Sequence, residues 1–505
     1  MIVSDVIRVE ISIASHHFRV KILDRQLLTT LSIFKSRYTD VQNDKEGTVF
    51  WLVMSNEGIG IIGQLQPFKE LLLDFGVHDG YIKYEHLPMY TPTPTPSVTL
   101  KSNWVLKPYQ QEISDFLLSG DTTSKLTLLQ TGKGKTVTAL ATVVKYRERV
   151  AIVVLAGYVD KWVEDVEKTL DGARLRVIVG AKDLSTTLGE ALVGSLEADY
   201  FIISMHTLTA YYRKYEEYRT LSTEYGYDVY PCNLFEALGV GTVVIDEVHQ
   251  HLGRVHKVLS YMHVPRLVAL SATFISNNKL VSRVQNMMFP EYTRIDMSIM
   301  TQYVNITAIA YKTSAMDRIK TSHPRVPTYS HTAFEKSILS HPKLTASYSE
   351  LVLGVMEVTY AKPYISGDKL LIFASAIKMC KRLAADIQRY HPDKVVNTFV
   401  EGDPYDNLLS SDICVSTIGS AGTAHDIAGL RVVILTVAID SPVSNLQAIG
   451  RLRELQDRDV KFVYMFCDQI PKHKAYHRSK LALLKGRVAS YKEFWHPKKL
   501  SIQTT

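Results

Sequence analysis

The stretch LLQTGKGKTV, Leu128 to Val137, holds the first residues that could act on a phosphate. Glycines let a turn bring its backbone N–H groups against phosphate oxygens, and a helix starting at the same point adds its positive end. Thr131, Gly132, Lys133, Gly134, Lys135 and Thr136 form that turn. Lys135 would reach the β- and γ-phosphates of ATP, and the Thr136 hydroxyl would ligate Mg²⁺. The complete pattern opens with a glycine five residues before Gly134, where this chain has Leu129. Taken by itself, the stretch reads equally as a basic turn with two glycines.

Two carboxylates follow about a hundred residues later, in TVVIDEVHQ. Asp246 can hold the water shell of Mg²⁺, and Glu247 can orient and deprotonate an attacking water. Alone, the pair would be an acidic turn at a strand end; the phosphate-type turn upstream favours the catalytic reading. LSAT, Leu270 to Thr273, closes the next apolar run. Further on, NLQAIGRLRE supplies Gln447, Gly450, Arg451 and Arg453. A guanidinium there could stabilise charge on a γ-phosphate, although an isolated G-R-x-R is usually a surface helix.

Strands must carry these residues. The runs KLTLLQ, RVAIVVLA, DYFIISM, GTVVIDE and RLVALSA alternate with helical segments. Their near-continuous apolar character suits parallel strands buried on both faces. After a more polar interval from about Asn277 to Pro342, the alternation resumes with KLLIFAS, KVVNTFVEG, DICVST, RVVILTVA and VKFVYMFC. The expected class is α/β, with parallel-sheet domains at 99–297 and 298–505 and no simple internal repeat. Ahead of them, residues 1–98 read as a small α+β unit of a size that can fold alone. Its alternations at Ile7, Val9, Ile11, Ile13 and at Phe18, Val20, Ile22 predict a hairpin. A helix in DRQLLTTLSIFKSRY, a strand in GTVFWLVMS and a helix in GIIGQLQPFKELLLDFGV follow. The unit ends in MYTPTPTPSV, whose Thr-Pro alternation favours an extended, semi-rigid linker.

At 505 residues the chain is too long for one core. No apolar run is long enough to span a bilayer, and the N-terminus lacks the layout of a signal peptide. Cys232, Cys380, Cys414 and Cys467 are scattered without a C-x-x-C pair, so a reducing compartment and no metal cluster are expected. The net charge of +7 favours a polyanionic partner only weakly. Its distribution says more: Pro471 to Lys499 carries nine Lys or Arg against one acid, Glu493. That stretch is either a solvated basic tail or a phosphate-backbone contact surface.

In their order, GKGKT, DEVH, LSAT and QAIGRLR resemble the motif set of superfamily 2 helicases and translocases, over about Leu106 to Glu454. The resemblance implies tandem RecA-like domains that use ATP and Mg²⁺. T-G-x-G-K-T is a common variant in such ATPases. LKPYQQ is similar to their adenine-sensing element, which makes Gln110 the base contact. IVVLAGYVDKW and ISMHTL in the first domain, LLIFAS and STIGSAGTAHDI in the second, fall where the family grips a nucleic-acid backbone. Thr207, Ser375, Thr417 and Thr423 are the contact candidates. His249, Ser271 and Thr273 would couple nucleotide state to strand contacts, as would Gly422, Thr423 and Asp426 from the other side; Gly422 and Asp426 would also face the nucleotide. Glu454 stands where the family commonly has its last arginine and Arg453 stands one residue early, so Arg451 is the expected finger.

The N-terminal unit, closed by GIIGQLQPFKELLLDFG, is similar to the accessory domain of phage UvsW-type helicases, which like RecG-type enzymes act on branched DNA. That resemblance implies an ATP-dependent DNA helicase or translocase, moving 3′ to 5′ on forked or branched DNA. It further implies replication or recombination proteins as partners and a bacterial cytoplasm. An RNA helicase, the motor subunit of a restriction or repair assembly, and a binding module with a decayed ATP site are the alternatives. The presence of Lys135, Thr136, Asp246 and Glu247 argues against decay. The segment TAYYRKYEEYRTLSTEYGYDVY, with Arg213, Lys214 and Arg219, either stacks bases or packs as an amphipathic helix.

Overall fold

The computed structural model describes residues 6–40, 48–120, 122–129, 133–218, 229–276, 278–297, 301–323, 326–421, 427–455, 458–485 and 488–501. The chain divides into two compact units, Met1–Ser298 and Ile299–Thr505.

The first unit opens with a five-stranded sheet of β1 (Val9–Ile13), β2 (His17–Ile22), β3 (Leu52–Met54), β4 (Glu57–Ile61) and β5 (Ile82–His86), in the order β3-β4-β2-β1-β5. The expected hairpin is present, with Ile11 opposite Val20. The strand expected in GTVFWLVMS is broken, because Phe50 and Trp51 are both buried between Thr48–Val49 and Leu52–Met54. Trp51 stacks on Phe68 and lies flat against β4. A Cβ at Gly58 or Gly60 would come within 2.3 or 2.6 Å of its ring, so both positions admit only glycine.

Seven further strands build a wholly parallel sheet: β6 (Ser124–Leu128), β7 (Arg149–Val154), β8 (Leu175–Ile178), β9 (Tyr200–Ser204), β10 (Val240–Ile245), β11 (Arg266–Ser271) and β12 (Arg294–Asp296). Their order is β8-β9-β7-β10-β11-β6-β12. Alternate residues of each strand serve opposite cores. In β7, Ala151 and Val153 join one apolar cluster while Val150, Ile152 and Val154 join the other. This two-sided burial is why the strands read as unbroken apolar runs. The first of those clusters continues into the N-terminal sheet through Val9, Phe18, Trp51 and Phe68. The Thr-Pro stretch is pinned to the first parallel-sheet domain: Thr93 N–H donates to Gly239 O, and Thr95 N–H to Arg147 O, at 2.9 and 2.8 Å.

The second unit carries another wholly parallel sheet: β13 (Thr301–Tyr311), β14 (Lys369–Ala374), β15 (Val396–Phe399), β16 (Ile413–Thr417), β17 (Leu430–Leu435), β18 (Val460–Cys467) and β19 (Val488–Trp495). Its order is β15-β16-β14-β17-β18-β13-β19. Counted from the first strand of each domain, both sheets read 3-4-2-5-6-1-7. The tandem α/β reading with RecA-like domains behind a small α+β domain is therefore correct, and the repeat that the sequence conceals lies in the topology.

Two readings left open by the sequence are narrowed. The basic C-terminal stretch is no tail: it folds as the helix Pro471–Leu484 and as β19, and Leu500 beyond them is fully buried. In the tyrosine-rich segment, Tyr211 and Tyr212 of the helix Met205–Tyr218 are core residues, with the Tyr212 ring 4.8 Å from that of Tyr261. Packing, not base stacking, explains them; residues 219–228 lie outside the described residues.

Candidate active site

Strand order assembles the site. β11 lies between β10 and β6, so the C-terminal ends of three neighbouring strands deliver DEVH, SAT and the glycine turn to one rim. Ligands of parallel sheets bind at that rim because the strands end there and helices begin. Backbone bonds tie the three ends together: Leu129 N–H to Ser271 O at 2.9 Å and Val248 N–H to Leu270 O at 3.1 Å.

The helix Lys135–Val143 begins at Gly134, whose φ of +77° is left-handed. The backbone therefore favours glycine, and a Cβ there would lie 2.5 Å from Gln110 Nε2 and push that side chain aside. Gln110 itself braces the turn. Its Oε1 accepts from Lys107 N–H at 2.9 Å, and its Nε2 faces the carbonyls of Lys133 and Gly134 at 3.4 and 3.5 Å. Tyr109 Oη donates to Lys133 O at 2.9 Å, a brace the motif comparison had missed. Thr136 stands in the first helical turn. Thr131 and Gly132 lie outside the described residues.

Lys135 is buried, and its Nζ lies 2.5 Å from Glu247 Oε1 and 3.5 Å from Asp246 Oδ1. Burial alone would lower the lysine pKa, but Glu247 and then Asp246 more than offset this and raise it. Glu247 shows the mirror case. Burial pushes its carboxyl up, and the field of Lys135 pulls it below the usual range. Both groups are thus charged at neutral pH.

Asp246 has a partner no motif announced. Trp162, from the helix Val159–Thr169, donates its indole Nε1 to Oδ2 at 2.9 Å, while Oδ1 accepts from Glu247 N–H at 2.9 Å. The sequence signal was only Trp162's apolar spacing with Val159 and Val166. Glu247 sits at φ +51°, a costly backbone for a carboxylate residue, which turns its side chain back over the phosphate turn.

The coupling residues meet next to it. His249 Nδ1 shares a hydrogen bond with Ser271 Oγ at 2.8 Å and lies 3.2 Å from Glu247 Oε2. Ser271 Oγ also bonds the Thr273 carbonyl and accepts from Thr273 N–H. Burial lowers the His249 pKa, so the ring is neutral at pH 7. Glu247 Oε2 and Thr273 Oγ1 are buried and take no hydrogen bond. A buried carboxylate oxygen that accepts no hydrogen bond and has the His249 ring 3.2 Å away, beside a phosphate turn, fits a site made to hold a water against a nucleotide. A compact ammonium, a hydroxyl in the first helical turn and a carboxylate beyond it also fit a nucleotide with Mg²⁺.

Thr207 is buried, and its hydroxyl accepts from Gly180 N–H at 2.7 Å. In the second unit, Ser375 follows β14 and Thr417 ends the neighbouring strand β16. The fully buried Glu335 caps the helix Ile377–Tyr390, taking Ser375 N–H at 2.9 Å and Ala376 N–H at 2.6 Å. Ser375 Oγ pairs with Thr332 Oγ1 at 2.6 Å, and Thr417 Oγ1 with Ser420 Oγ at 2.8 Å. Arg451 is buried just past the helix Pro442–Ile449, whereas Arg453 Nη1 turns back to the carbonyls of Gly450 and Leu452. Gly422, Thr423, Asp426 and the Gln447 side chain lie outside the described residues. Among the described residues no group of three or more His, Cys, Asp or Glu is placed to hold a metal ion, and no helix is long and apolar enough to cross a membrane.

Residues 103–276, about a third of the chain, match the family model described as type III restriction enzyme, res subunit. No curated protein matches the chain. Among solved structures, the fragment structure of a putative HsdR subunit of a type I restriction enzyme from Vibrio vulnificus is similar at 16% identity. That likeness covers 77% of this chain and 68% of that one, with a TM-score of 0.49. The segment that matches the family model is the one that carries the glycine turn, DEVH and SAT.

Proposed function

We propose that the chain is an ATP-driven DNA translocase that acts on forked or branched DNA. The observation that carries this is the buried Lys135–Glu247–Asp246 cluster on a rim shared with Gly134, Ser271 and His249. Lys135 exchanges its carboxylate partners for the β- and γ-phosphates, and Thr136 and Asp246 hold Mg²⁺, which supplies positive charge to the phosphate oxygens. Released from Lys135, Glu247 orients and deprotonates the attacking water. Arg451 of the second domain adds transition-state charge, with Gln447 and Arg453 in lesser roles. His249, Ser271 and Thr273 carry the change at Glu247 towards the strand contacts, and Gly422, Thr423 and Asp426 answer from the second domain. Thr207, Ser375 and Thr417 line the nucleic-acid path. Residues 1–98 form the accessory domain that reads the junction.

A second reading, the motor subunit of a restriction assembly, is favoured by the family model that matches residues 103–276. One experiment separates the two. Purified protein, wild type beside Glu247→Gln, is given ATP with a four-way junction, a model fork and a linear duplex carrying a displaceable third strand. Conversion of junction and fork by the wild type alone supports the first reading. Triplex displacement without junction conversion would replace it with the second.

A further inference from the structure

The seventh strand differs between the two sheets. In the first it is a three-residue strip, Arg294–Asp296; in the second, β19 runs eight residues along β13. Its aromatic residues face solvent, with Phe494 52% and Trp495 55% exposed and Tyr491 less so. A long edge strand with bare aromatic rings invites unwanted pairing, so one that persists calls for a use. The strand is also held firmly. His496 N–H donates to Ala310 O and Leu500 N–H to Lys312 O, each at 2.8 Å, and the Leu500 side chain is fully buried.

Charge selects the occupant. Lys492 and Lys499 flank the rings in sequence, Lys498 Nζ lies 3.3 Å from Glu350 Oε2, and Lys312 Nζ lies 5.2 Å from the centre of the Trp495 ring. The strand's own acid, Glu493, is engaged locally: it accepts from Tyr491 Oη at 2.8 Å and lies 3.6 Å from His477 Nε2. A second copy adding its own β19 would set these lysines against one another. A single nucleic-acid strand offers π-faces to the rings and phosphates to the lysines, and every base can stack.

We propose that the outer edge of β19, through Tyr491, Lys492, Phe494 and Trp495, binds single-stranded nucleic acid. This surface goes beyond the motor reading and stands independently of it. The test uses the full chain without nucleotide and follows fluorescence anisotropy of labelled oligothymidylate, oligouridylate and duplex DNA across a salt series. The double variant Phe494→Ala/Trp495→Ala is expected to weaken single-strand binding roughly tenfold or more and to leave duplex binding unchanged. Lys492→Gln is expected to flatten the salt slope by about 0.7. The two single strands tell DNA preference from RNA preference, and loss on either supports the surface. Unchanged single-strand affinity, equal loss on duplex, or a change only in sedimentation would each overturn it. Should the double variant misfold, photocrosslinking of wild type to a thiouridine-bearing strand decides. Adducts at 491–495 support the proposal, and adducts elsewhere alone refute it. ATP hydrolysis that ignores all nucleic acids, with this binding intact, would sink the motor reading but not this one.

Discussion

Trp162 and Asp246, 84 residues apart in sequence, meet through one buried hydrogen bond, Nε1 to Oδ2 at 2.9 Å. The indole fixes the carboxylate plane, so that Oδ1 faces Lys135 and the Glu247 backbone. Replacing Trp162 by Phe keeps most of the ring volume and removes the donor. A hydrogen bond to a charged group is worth about 1.5–3 kcal/mol. Trp162→Phe is therefore expected to cut ATP hydrolysis roughly tenfold or more and to shift the Mg²⁺ requirement upward. Titrating Mg²⁺ at saturating ATP, alongside a melting curve, separates this from simple loss of packing.

Gly134→Ala should act through backbone and side chain together. The left-handed φ disfavours any Cβ, and this one would displace Gln110 from the turn. A stability loss of about 1–2 kcal/mol is expected from the backbone alone, with a larger loss in ATP affinity. Denaturant unfolding and nucleotide titration give the two numbers.

Lys135→Ala leaves two neighbouring carboxylates buried without their cation, a loss of about 3–5 kcal/mol at pH 7. The pH dependence gives the signature. In the wild type, Lys135 holds the Glu247 pKa below its ordinary value of 4.5, so that contribution is present above pH 4.5 and fades as pH falls through the lower, folded value. Without Lys135, the burial that remains raises the carboxyl. The variant's deficit should then shrink as pH falls towards 5, which parallel denaturant curves would show; a constant deficit would contradict the pairing.

Three histidines stitch the N-terminal sheet to the first parallel-sheet domain. His17 Nδ1 bonds Met262 O at 2.9 Å, His256 Nε2 meets Gln64 Oε1 at 3.2 Å, and His16, whose Nδ1 meets Ser15 Oγ at 2.7 Å, is buried beside the Thr123 backbone. Burial lowers them to about 3, about 4 and about 3 for His16, His17 and His256. They stay neutral in the fold, whereas the unfolded chain protonates near pH 6.5. Their contribution is complete above that value and is lost as pH falls below it, roughly 3–4 kcal/mol together between pH 7 and 5.5. Stability of the full chain against urea at those two pH values is the check, and no decline would refute the neutral assignment.

The strands that carry the motifs were legible because they sit mid-sheet, covered on both faces, and so consist of apolar runs. β8 and β12 are short, and β19 is an edge strand with mixed composition, so none of the three stood out. β13 was hidden inside a polar interval because Asn305 and Thr307 alternate with its core residues. That Lys135, Asp246 and Glu247 belong to one site was readable from the motif set and its order, but their direct ion pairing was not. Trp162 on Asp246 and Glu335 on Ser375 were not, since each joins residues brought together only by the fold. The pinning of the Thr-Pro stretch was not legible for the same reason: its partners Gly239 and Arg147 are distant in sequence.

The central claim is that Lys135, Asp246 and Glu247 form a hydrolytic centre under nucleic-acid control. Steady-state ATP hydrolysis tests it most directly, with wild type beside Lys135→Ala and with no nucleic acid, single-stranded DNA, duplex, four-way DNA or RNA at fixed salt. The account expects stimulation by DNA, strongest with branched forms, and loss of activity in the variant. Hydrolysis that persists in Lys135→Ala, or that no nucleic acid alters, would contradict it.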